Sequence, residues 1–275
     1  MRQGQQRSLL FVPGTRTDRI AKALASGADI VVVDLEDAVA LEEKATARKA
    51  LEQYLNSTPG VSFIVRINAE VGNEEQDFQQ DLALCTKFPA ITGVMLPKTE
   101  TPEQIARASA SGKPIWPLIE TAQGLISLPK IAASPGVERL VFGALDMAVD
   151  LNLEPGSSGA ETVLDHCRHQ LILHSRAHSL PSPIESVTPE INDLSKVEIA
   201  AKKAVEMGFS GMLSIHPKQV LAIHNAFTPD DKTLHWARCI LEEAKVRGGA
   251  FQFEGQMVDA PVLSRARAVL ARANN

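Results

Sequence analysis

Short apolar runs alternate along the chain with longer amphipathic stretches, and the two lengths predict two kinds of element. Residues 8–12, 30–34, 63–67 and 93–97 are too short and too rich in β-branched side chains for helices, and predict strands buried on both faces. Residues 115–120, 140–143, 182–185 and 211–215 add four more. Helical patterns lie between them, among them 18–26, 41–55, 161–179 and 196–207. Gly27 and Gly208 close two of these helices just before the next strand, where a left-handed C-terminal residue belongs. Eight strands alternating with helices match one α/β fold, the (β/α)8 TIM barrel. The same alternation also suits a doubly wound open sheet. Against its dinucleotide-binding version, VPGTR at 12–16 has a single glycine where Gly-x-Gly-x-x-Gly would follow the first strand. No repeat or linker interrupts the order. Residues 1–217 are therefore assigned to the barrel, and 218–275 to a helical C-terminal extension that closing a barrel does not require.

Composition narrows the partners. At 275 residues, with 44% hydrophobic and 22% charged, the chain can bury one large core. A net charge of -5 without a Lys/Arg run argues against nucleic acid, whose phosphates need a basic face. The polar opening MRQGQQR runs directly into the first strand, so neither a secretory signal nor a membrane span is expected, and a cytoplasmic protein is. Cys85, Cys167 and Cys239 stand far apart with no C-x-x-C pair, which indicates ordinary thiols rather than a disulfide framework or a zinc cluster. His166, His169, His174 and His178 recur at helical spacings and read as surface and interface residues.

In a barrel the chemistry sits at the carboxyl ends of the strands, which sorts the polar residues. Asp34, Glu36 and Asp37 end the second strand, Arg66 and Asn68 the third and Glu120 the fifth, while Lys98 follows the fourth and Asp146 the sixth. Several carboxylates around one guanidinium, with no His or Cys pair nearby, suit a hard divalent cation bound by oxygen, and Mg2+ fits best. Plainer roles compete at each position. Asp37 and Glu120 could cap the helices that follow them, and Arg66 could serve only as half of a buried ion pair. Lys98 could form a Schiff base, although a metal and an arginine would already supply the electrophile.

The motifs RSLLFVPG (7–14), GADIVVVDLEDAV (27–39), VRIN (65–68), MLPK (95–98) and LIET (118–121) resemble the citrate lyase β-subunit-like family of the HpcH/HpaI aldolase/citrate lyase superfamily. GALD (143–146), IHPKQ (215–219) and EGQMVDAP (254–261) continue the resemblance in order to the end of the chain. It implies a (β/α)8 enzyme that cleaves citryl, malyl or citramalyl thioesters, commonly as a homotrimer. It also implies Glu120 and Asp146 as Mg2+ ligands, with Glu120 touching substrate, and Arg66 as the clamp on the substrate carboxylate. Asp259 would be the acid/base residue, given to a neighbouring subunit by an extension that packs on the barrel and on that neighbour. The chain departs from the family pattern at Leu145, where relatives often carry Glu before the metal Asp. In PIESVTP (183–189) it has Glu185 and Thr188 in place of the usual Asp and Tyr.

The expected reaction is a retro-aldol cleavage of a 3-hydroxy-3-carboxy acyl thioester to an acetyl thioester and a 2-oxo acid, or the reverse condensation. Coenzyme A is the expected handle and citramalyl-CoA the first choice of substrate, ahead of malyl-CoA and citryl thioesters. The alternatives are a citrate lyase β subunit acting on citryl-acyl carrier protein and a non-catalytic barrel scaffold.

Overall fold

The computed structural model describes residues 6–70 and 75–273; residues 1–5 of the polar opening segment lie outside the described residues. Eight parallel strands close on themselves: β1 (Ser8–Pro13), β2 (Ile30–Asp34), β3 (Phe63–Arg66), β4 (Ile91–Leu96), β5 (Ile115–Ile119), β6 (Val141–Phe142), β7 (Ile184–Glu185) and β8 (Gly211–Ser214). Closure rests on β1 and β8, where Ser8, Leu9 and Leu10 stand opposite Met212, Leu213 and Ser214. This pairing excludes the open doubly wound sheet. β7 is shorter than the expected 182–185; Pro183 has no N–H to give a neighbouring strand.

Helices surround the barrel: α1 (Ile20–Leu24), α2 (Lys44–Ser57), α3 (Glu75–Lys87), α4 (Pro102–Ser109), α5 (Ala122–Ala132), α6 (Ala144–Asp150), α7 (Ser158–Ala177), α8 (Leu194–Met207) and α9 (Pro217–Phe227). Gly208, with φ 102°, ends α8 in the left-handed conformation that glycine adopts without strain. The strand alternation divides the core in two. Leu9, Val32, Ile64, Met95, Trp116, Leu118, Val141, Ile184 and Leu213 pack together as the barrel's filling. Their neighbours, such as Leu10, Val33, Val65, Ile119 and Phe142, join the larger cluster beneath the helices.

α9 packs on α8, β1 and β8, and Phe227 belongs to the core beneath the helices. A separate unit follows: α10 (Asp231–Arg247), a hairpin of β9 (Phe251–Phe253) and β10 (Gln256–Val258), and α11 (Ala260–Ala273). It has its own small core of Ala237, Ile240, Val258, Ala266 and Val269. The hairpin goes beyond the helical extension read from sequence. Glu254 and Gly255, with φ 47° and 79°, make its tight turn. Among the described residues, no helix is long and apolar enough to cross a membrane.

At the opposite end of the barrel from the strands' carboxyl ends, Asp29 ties three elements together. Its carboxylate accepts from the N–H groups of Arg7 and Ser8 at 2.7 and 3.3 Å and from Arg7 Nε at 3.2 Å, and lies 3.4 Å from His224 Nε2 of α9. Burial would raise this carboxyl, but His224 and Arg7 outweigh burial and hold it at about 2. A depressed folded pKa means the stabilisation is present above the ordinary Asp value and is lost as pH falls towards 2. Asp29→Asn is expected to lower stability at neutral pH by about 1 kcal/mol, solvent screening of this partly exposed group cutting the full effect, and to flatten its decline between about pH 4 and 2. Urea unfolding across that range checks this; an unchanged profile would show that the Asp29 charge is unimportant.

Candidate active site

Asp34, Glu36 and Asp37 lie at and after the end of β2, Arg66 ends β3, Lys98 and Glu120 follow β4 and β5, and Asp146 is in the first turn of α6. Arg66 is the hub. Its Nε and Nη2 donate to Asp34 Oδ1 and Oδ2 at 2.8 and 2.6 Å, and its Nη1 lies 2.9 Å from Glu36 Oε2 and 3.6 Å from Asp37 Oδ2. The guanidinium carbon sits 4.9 Å from the centre of the Phe11 ring. Asp34 also accepts from the N–H groups of Glu36 and Ala38 at 3.0 and 3.1 Å. The Lys98 ammonium donates to the other oxygen of Glu36 and lies 3.8 Å from Asp37, which caps no helix.

Burial would lower the Arg66 guanidinium's pKa, but Asp34, Glu36 and Asp37 reverse this and hold it above its ordinary value. Burial also raises the Glu36 carboxyl despite Arg66 and Lys98. Lys98, depressed by burial but raised more by Glu36 and Asp37, stays above the usual lysine range. A protonated, paired ammonium is a poor start for a Schiff base.

Glu120 is held differently. Its Oε1 accepts from the backbone N–H of Lys98 at 2.8 Å, and Lys98 has φ 46°, a left-handed conformation uncommon for a lysine. A Cβ on Gly143 would stand 2.6 Å from both Glu120 Cβ and Oε2, so the whole Glu120 side chain lies directly against the turn between β6 and α6, the helix that carries Asp146. Burial, Glu36 and Asp146 raise the Glu120 carboxyl to about 8, against the Lys98 N–H and Arg66. The surroundings thus hold too little positive charge to keep Glu120 ionised, and a divalent cation between Glu120 and Asp146 would supply it. Two carboxylates completed by water and substrate oxygens suit Mg2+. Among the described residues, no group of three or more His, Cys, Asp or Glu gathers at a possible metal position, so a cation held here would take at most these two carboxylates from the chain.

Arg66, Glu120 and Asp146 line one cavity of about 350 Å3 with Asp34, Asp37 and Ser186; Phe11, Leu118, Val187 and Leu213 make it apolar elsewhere. Glu36 and Lys98 are not among its lining residues. Asp259 lies far from this group in the chain, in the C-terminal unit, where its Oδ1 accepts from Val262 N–H at 3.4 Å at the start of α11.

A family model described as "HpcH/HpaI aldolase/citrate lyase" matches residues 7–217. The chain belongs to that family. A Mycobacterium tuberculosis citrate lyase subunit beta-like protein is 36% identical, over 96% of this chain and 94% of its own length. A (3S)-malyl-CoA thioesterase of Cereibacter sphaeroides is 30% identical, over 97% and 94%. The crystal structure of Mycobacterium tuberculosis CitE in complex with magnesium, acetoacetate and coenzyme A superposes with a TM-score of 0.86 at 33% identity, covering 98% of this chain and 99% of that one. As a member of the HpcH/HpaI aldolase/citrate lyase family, the chain is a carbon–carbon lyase.

Two residues of the site were not singled out by the sequence. Ser186 is buried and its Oγ accepts from the Ala144 N–H at 2.9 Å, pinning the start of α6. Gly143 is betrayed only by its place at a strand end before Asp146. Its φ of -110° suits any residue, so Gly143→Ala acts on Glu120 sterically rather than through backbone strain. That variant is expected to fold and to bind a divalent cation about 10–100-fold more weakly. Calorimetric titration with Mg2+ checks it, and unchanged affinity would separate Glu120 from the metal.

Proposed function

We propose that this lyase is Mg2+-dependent and cleaves a 3-hydroxy-3-carboxy acyl-CoA to acetyl-CoA and a 2-oxo acid, or runs the reverse condensation, with citramalyl-CoA the leading substrate. The observation that carries this reading is the division of charge at the barrel mouth. Asp34 and Glu36 are committed to Arg66 and Lys98, which leaves Glu120 and Asp146 as an oxygen pair facing the same cavity as the guanidinium. Glu120 and Asp146 would hold Mg2+ there, which would supply Lewis-acid stabilisation of developing oxyanion charge on the substrate.

The chain's own groups do the rest. Arg66, fixed by Asp34 and stacked on Phe11, presents its outer edge to the substrate carboxylate. Phe11, Leu118, Val187 and Leu213 keep water away from the reacting carbons. In cleavage the hydroxyl proton passes to solvent at the cavity mouth, the carbon–carbon bond breaks with its electron pair passing to the thioester α-carbon, and the Asp259 carboxyl gives its proton to that carbon. In condensation the same carboxylate removes a proton from the acetyl methyl. A neighbouring cavity of about 700 Å3 shares Phe11, Pro13 and Ile215 with the first and is lined by Arg19, Lys22 and Lys218, and by Arg16 paired with Asp18 at 2.8 Å. Such a lining suits the phosphates of coenzyme A, which favours the free thioester over a carrier-protein one.

Assaying citramalyl-, malyl- and citryl-CoA with and without chelator tests the proposal. Acetyl-CoA and an oxo acid should form from at least one substrate, cease in excess chelator and return with Mg2+. Free coenzyme A without an oxo acid would mark a thioester hydrolase instead. No turnover of any substrate would favour a carrier-protein substrate or a scaffold.

Asp259 is placed in the proposal as a neighbour's residue, in a ring of subunits, a trimer. It sits in a unit with its own core and is not among the residues lining its own chain's cavity. Asp146→Ala and Asp259→Ala chains should each be nearly inactive alone. Mixed under subunit exchange, they should recover a sizeable fraction of activity, because some sites combine an intact pair of metal ligands with an intact Asp259. No recovery in hetero-oligomers verified by mass spectrometry would assign Asp259 to its own barrel or to no catalytic role.

A further inference from the structure

Beside the metal cavity lies another, of about 440 Å3, open to solvent and lined from β7, α6, α7 and α8. The two share Leu145, Ser186 and Val187. Leu145, one residue before the metal-pair Asp146, is 47% exposed, and Val187 is half-buried, so the divide is made of two apolar side chains and one hydroxyl. Behind it stand Ala148, Leu164, Ala200 and Met212. Leu145, Glu185 and Thr188 all line this second cavity.

The cavity contains cations, but carboxylates already answer them. Arg168 Nε donates to Glu185 Oε2 at 2.9 Å and its Nη1 to Asp165 at 2.7 Å. Lys203 lies 2.9 Å from Glu161 and 2.8 Å from Asp165, and Lys196, at the exposed rim, 3.7 Å from Glu190. A carboxylate entering here would meet only cations that already face carboxylates among the described residues, whereas an alkyl group would exchange water for apolar wall.

We propose that this second cavity is the side-chain pocket of the lyase, and that it receives the alkyl substituent of a 2-oxo acid longer than pyruvate, or the same substituent on the corresponding 3-hydroxyacyl thioester. The proposal rests on the reading of the metal cavity given above and deepens it. Pyruvate's methyl ends at the divide formed by Leu145 and Val187. Each further methylene passes it, while the carboxymethyl group of oxaloacetate is rejected.

Condensation of acetyl-CoA with glyoxylate, pyruvate, 2-oxobutanoate, 2-oxopentanoate and oxaloacetate, in the presence of Mg2+, reads the pocket. The expected kcat/KM for 2-oxopentanoate is at least comparable to that for pyruvate and about tenfold or more above that for oxaloacetate. Ala200→Phe and Ile199→Trp fill the second cavity from α8 without touching the metal cavity. Either should lower 2-oxopentanoate turnover about tenfold while leaving glyoxylate and pyruvate within about twofold. Calorimetric binding of the same oxo acids to the Mg2+-loaded protein separates the two readings. If no oxo acid condenses but 2-oxopentanoate binds and loses about tenfold affinity in the filled variants, the pocket stands and the reading of the metal cavity as an acetyl-CoA/2-oxo acid site falls. A wild-type preference that stops at pyruvate, or filled variants that treat all oxo acids alike, overturns the pocket.

Discussion

A guanidinium cannot be buried at the mouth of a barrel unless carboxylates go with it, and the burial of Arg66 organises everything around it. Asp34 takes two of its nitrogens, Glu36 and Asp37 face the third, and Phe11 lies under the plane. Asp34 is also held by two backbone N–H groups of its own loop, so the pair is fixed to the backbone rather than free to swing. Glu36 would be left short of charge by this arrangement alone, and Lys98 supplies it. The ammonium thereby loses its freedom to act as a nucleophile. The backbone of the same lysine holds Glu120.

That chain of dependencies leads from a packing requirement to a site. Once Arg66 and Lys98 are paired, Glu120 and Asp146 are left lining one cavity, neither in a salt bridge among the described residues. Their environment pushes Glu120 towards the neutral form. Glu120 and Asp146 therefore offer oxygen ligands that an added cation would neutralise. Gly143 and Ser186 belong to the same design: one lets the Glu120 carboxylate lie against the turn, and the other anchors the first N–H of the helix that carries Asp146.

The two ends of the barrel divide the work. Asp29, Arg7, Ser8 and His224 lock β1, the approach to β2 and α9 at the end remote from the site, where tight ion pairing stabilises and performs no chemistry. At the other end the pairs are arranged around a cavity. The C-terminal unit, with its own small core, can be positioned by something other than the barrel that precedes it.

Much of this was legible in the chain itself. Period and run length gave eight strands nearly where they lie, because a strand buried on both faces must be apolar throughout and short. The strand ends then nominated Arg66, Glu120 and Asp146 without reference to any relative. Closure was not legible, since the contact of β1 with β8 joins residues some two hundred positions apart and no local pattern encodes it. Nor could the sequence say which carboxylates would be consumed: Asp34, Glu36 and Glu120 look alike along the chain, and only their distances from Arg66 and Lys98 separate the partners of cations from the free pair. The hairpin at 251–258 escaped because three-residue strands are too short to show a period, and the role of Ser186 because a hydroxyl becomes a cap for α6 only when β7 is set beside β6. Local chemistry fixes what each residue can do, and the closed barrel decides which of them meet.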